Sequence, residues 1–196
     1  MSGAAGPFTE LLWSGPSVSY AAQAAAASTA QFLMPGASGA YEQPYIPVNW
    51  WQVGRRNQRA RIELGGVLNS TGGTATTAIF TVGLATASNT ATPGTGGGAL
   101  VATSAITVTS FAANSGWWVT ADLTSRMVGY GTSSVSTSIL TDARCGCLGV
   151  SGTGPPTLLS TVDAGAQWWV YATVTFSTAV ITNSCQLTRA DVWGLN

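Results

Sequence analysis

Two residue types are missing altogether: the 196-residue chain contains no histidine and no lysine. A serine or cysteine nucleophile activated by an imidazole is therefore excluded, as is the serine variant that relies on a lysine amine. The same absences remove Schiff-base chemistry, the lysine of a phosphate-binding loop and the histidine-containing zinc motifs. Charge is scarce as well. Seven basic and seven acidic residues make up 7% of the chain, against roughly 25% in an ordinary soluble domain, and they cancel. A neutral chain lacks the clustered basic excess of a nucleic-acid footprint, and a surface so poor in charge favours association. No apolar run approaches the roughly 20 residues of a membrane span, and the opening MSGAAGPFTELLW has neither the basic n-region nor the continuous apolar core of a secretory signal. The expectation is a protein without nucleic-acid or membrane partners, not exported by that route.

Cysteine is rare too, with three residues, Cys145, Cys147 and Cys185. An odd number without a signal peptide argues against a secreted disulfide framework. Buried free thiols are expected, with a disulfide through Cys185 as the alternative; a Cys-x-Cys pair without histidine is a weak metal signal. No cofactor and no metal are expected.

What is present is a chain of the length of one domain. Residues 1–47 mix Gly, Pro and small residues with an Ala run, Ala21 to Ala27, and carry only Glu10 and Glu42 as charges. Their Phe8, Leu11, Leu12, Trp13, Phe32, Leu33 and Tyr45 are too apolar for a solvated tail. They read as an extended N-terminal arm lying on its own domain or on a neighbour, with Phe8, Leu12, Trp13 and Phe32 as candidate contacts. Residues 48–196 read as the folded domain. From Arg59 onward the chain is rich in Thr, Ser, Val, Ile and aromatics, with glycine clusters between strand-like runs, the pattern of an antiparallel all-β domain.

The strands show their faces by alternation. Ile62 and Leu64 alternate with Arg61 and Glu63; Ala78, Phe80, Val82 and Leu84 share one face; Trp117, Val119, Ala121 and Leu123 oppose Trp118, Thr120, Asp122 and Thr124. The run Trp168, Val170, Ala172, Val174 and Phe176 is a wholly apolar face. Shorter strands are expected at 135–140, 147–150 and 158–162, and a last one from Val180 toward Trp193. Some eight short strands without a repeat fit a two-sheet antiparallel sandwich. A jelly roll is preferred, since the Cys-Trp-Cys spacing of an immunoglobulin-like sandwich is missing.

Little of this carries chemistry. A glycosidase needs two carboxylates facing each other, and Glu63, Asp122, Asp142 and Asp163 fall in separate expected strands or turns, where arginine partners are the simpler reading. The cluster Arg55, Arg56, Arg59 and Arg61 is too small for a nucleic-acid patch; it reads as a solvated run or as contacts to carboxylates of a partner or neighbouring subunit. Tryptophan occurs in adjacent pairs at 50–51, 117–118 and 168–169. Successive strand residues face opposite ways, so Trp118, Trp169 and Tyr171 are expected to point outward, toward a subunit interface or under the arm or a loop.

Taken in order, PYIPVNWW, RARIELGGVLNSTGGTATTAIFTVGL, GWWVTADLTSR and QWWVYATVTFSTAVITNSCQLTRADVW resemble the jelly-roll structural proteins of tailed bacteriophage virions, which include head-decoration, minor capsid and minor tail proteins. The resemblance covers about residues 44–196 and rests on pattern and order. It implies a homotrimer mounted on the virion, bound to the major capsid protein or other virion proteins, with the arm as anchor and no enzymatic activity. The alternative within virions is a tail-associated adhesion domain that binds host glycan; a carbohydrate depolymerase is the reading from a different class.

Overall fold

Alternation of apolar and polar residues makes each strand a two-faced ribbon, and two such sheets bury their apolar faces against each other. The computed structural model describes residues 9–14, 23–24, 31–32, 43–51, 59–70, 76–85, 99–108, 111–127, 136–147, 150–153, 157–163, 165–176 and 184–195. Every regular element among them is a strand: β1 (Thr9–Ser14), β2 (Gln23–Ala24), β3 (Gln31–Phe32), β4 (Tyr45–Ile46), β5 (Arg59–Ser70), β6 (Thr76–Ala85), β7 (Ala99–Val108), β8 (Phe111–Met127), β9 (Ser136–Cys147), β10 (Val150–Thr153), β11 (Thr157–Asp163), β12 (Trp168–Phe176) and β13 (Ser184–Leu195).

They form two antiparallel sheets. The larger has eight strands in the order β1-β13-β5-β8-β9-β10, with β2 also on β13 and β11 also on β9. The smaller has five, in the order β3-β12-β6-β7, with β4 also on β12. The chain changes sheet between β5 and β6, and again between β12 and β13, so the pair β6–β12 of one sheet lies nested inside the pair β5–β13 of the other. Consecutive β6 and β7 pair within the smaller sheet, and β8 and β9 within the larger.

The faces expected from alternation are the core. Ile62, Leu64, Trp117, Val119, Ala121 and Leu123 of the large sheet meet Ala78, Phe80, Val82, Leu84, Trp168, Val170, Ala172, Val174 and Phe176 of the small one. Across the layers, Phe80 stacks on Trp117 with ring centroids 4.7 Å apart. Cys145 and Cys185 are buried and form no disulfide. In β13 the alternation breaks at a bulge between Leu187 and Arg189, which keeps Leu187 and Ala190 both inside and turns Thr188 and Arg189 both outward. Where a strand was expected at 147–150, Val150 pairs antiparallel with Cys147, so the chain reverses there between β9 and β10.

The described pieces of residues 1–47 are strands of the same two sheets. β1 and β2 pair with β13, while β3 and β4 pair with β12. Pro44 accepts a backbone hydrogen bond from Val170, and the Gln43 amide donates to the Val170 carbonyl at 2.9 Å. Ile46 is fully buried in the core. A turn closed by Trp50 N–H to the Pro47 carbonyl follows, with Asn49 at a φ of 61°, a conformation asparagine tolerates better than most residues. That turn delivers Trp51 into the core and leaves Trp50 half-buried against Gly194 and Leu12.

Candidate functional site

The outer face of the large sheet gathers the chain's scarce charge. Register places Asp191 of β13 opposite Glu63 of β5, and Asp122 of β8 opposite Asp142 of β9. Like charges directly opposite destabilise a sheet, and arginines on the same face offset both pairs. Arg189, turned outward by the bulge, donates from Nε to Asp191 at 2.6 Å and from a terminal nitrogen to Glu63 at 2.9 Å. The Ser14 hydroxyl donates to the other Asp191 oxygen at 2.8 Å, tying β1 into the row. Arg61 grips both oxygens of Asp122, at 2.8 and 3.2 Å, while Arg144 lies 3.5 Å from Asp142. The hydrogen bond to Asp122 holds the Arg61 guanidinium pKa above its ordinary value, and that to Asp191 does the same for Arg189.

Tertiary structure has thus brought together the carboxylate pair that sequence spacing left apart, Asp122 and Asp142. Both oxygens of Asp122 are engaged by one planar guanidinium, the bidentate geometry in which arginine holds a carboxylate best. Asp163 lies on β11, and its side chain falls outside the described residues. Among the described residues no group of three His, Cys, Asp or Glu gathers to hold a metal ion.

The aromatic side chains expected to face outward have three different surroundings. Trp118 is 46% exposed. Its indole leans across β9: a Cβ added at Gly146, its partner in register, would lie 2.6 to 2.8 Å from Nε1, Cε2 and Cζ2 of the ring. On the other flank its partner is Gly65, where an added Cβ would meet only the Trp117 carbonyl oxygen, at 3.5 Å. Trp169 is half-buried beneath the edge of Tyr45, with centroids 5.4 Å apart. Tyr171 is 2% exposed and lies over Gly83, whose absent Cβ makes room for the phenol ring. Its burial raises the phenol pKa above its ordinary value. The outward reading of Tyr171 is therefore corrected: the ring leaves the core face of β12 but is buried within its own chain.

The remaining expected contacts are dispersed. Leu12 is half-buried against the core, and Arg59 is exposed at the start of β5. Trp13 and Phe32 lie on β1 and β3, with side chains outside the described set, as Phe8, Arg55 and Arg56 are in full. Sequence reading missed the glycines that seat rings: Gly146 under Trp118, Gly83 under Tyr171 and Gly66 against Trp117. Their signal was present, since glycine inside a strand marks close approach of another group.

No protein-family model matches the chain, and neither curated proteins nor solved structures give a match.

Proposed function

We propose that this chain is a non-catalytic structural component of a virion, a decoration or minor capsid protein that binds the assembled lattice as a homotrimer. The virion and the threefold order come from the sequence resemblance. The observation that supports an assembly role is the disposition of charge. Three of the seven arginines and four of the seven carboxylates, half of the chain's charged side chains, pair with one another on one sheet face. A surface so depleted has little to resist association. The finer expectation of a jelly roll has the nested β5–β13 and β6–β12 pairs in its favour, whereas the β6–β7 and β8–β9 hairpins within single sheets depart from strands that alternate between layers.

The grip of Arg61 on Asp122 and the lack of any imidazole or amine base support the non-catalytic part. Light scattering of the purified chain should give about three times its 19.9 kDa mass, and the protein should coat capsids stripped of decoration. A monomer that leaves such capsids bare would overturn the assembly reading. Release of reducing ends from a polysaccharide, lost in Asp122→Asn, would overturn the non-catalytic one.

A further inference from the structure

We draw no further inference here: the strongest candidate, the outer edge of the uncharged strand β7 at the end of the smaller sheet, carries nothing because nothing in the structure shows what covers it.

Discussion

Removal of residues 1–47 discriminates most sharply between an arm that rests on a finished domain and strands that complete it. The sequence reading expects a chain beginning at Val48 to fold unimpaired. The structure puts Ile46 in the core at zero exposure, ties Gln43 and Pro44 to the backbone of Val170, and lays Tyr45 on Trp169. Burial of a side chain such as Ile46 stabilises by about 1.5–3 kcal/mol, the aromatic pair by about 0.5–1.5 kcal/mol, and half-buried Leu12 by about 1 kcal/mol. Together these come to about 3–6 kcal/mol, a large share of the roughly 5–15 kcal/mol of a typical domain. With a urea m-value of about 2 kcal/mol/M, the truncated chain should unfold at least about 1.5 M earlier than the full chain. Ile46→Ala alone should lose about 2–4 kcal/mol. Urea melts followed by both circular dichroism and tryptophan emission measure this. Coincident midpoints for the full and truncated chains would refute the reasoning and return residues 1–47 to the role of a dispensable anchor.

Phe80→Ala removes one half of the stack that joins the two sheets at Trp117 and should cost about 3–5 kcal/mol in denaturant melts; a loss under about 1 kcal/mol would mean the layers are not packed there. Gly83→Ala drives a methyl group into the Tyr171 ring and should destabilise by about 1–3 kcal/mol, a cost that should shrink in the Tyr171→Ala background. Because burial raises the Tyr171 pKa in the folded state, its contribution is intact below the unfolded value of about 10 and is lost as pH rises above it. Wild type should therefore lose stability between about pH 10 and 11 faster than Tyr171→Phe, by at most about 1.4 kcal/mol per pH unit, and parallel pH profiles would contradict the burial.

How far the sequence reaches is clearest strand by strand. Along β12 the period of two is unbroken from Trp168 to Phe176, and every residue of its apolar face is in the core. The faces of β6 and β8 were equally legible, because a side chain's face in a regular strand follows from parity alone. In β13 parity fails. The bulge between Leu187 and Arg189 shifts the apolar positions from odd to even, and an arginine beside threonine gives no sign of which way either turns until β5 supplies Glu63 as a partner. The absence of histidine and lysine, the even charge balance and the scarcity of charge were complete in the composition, since they need no geometry.

What only tertiary structure decided concerns neighbours remote in the chain. That Asp122 faces Asp142, that Arg189 bridges Glu63 and Asp191, and that residues 9–14 and 45–46 complete the sheets all depend on strand order and register, which alternation within one strand does not encode. The outward aromatics make the same point. Parity puts Trp118, Trp169 and Tyr171 on outer faces alike, yet one stays wet, one lies under Tyr45 and one is buried over a glycine. Parity determines the face from which a ring departs; whether it stays in water depends on what the neighbouring strand and the preceding segment place beside it.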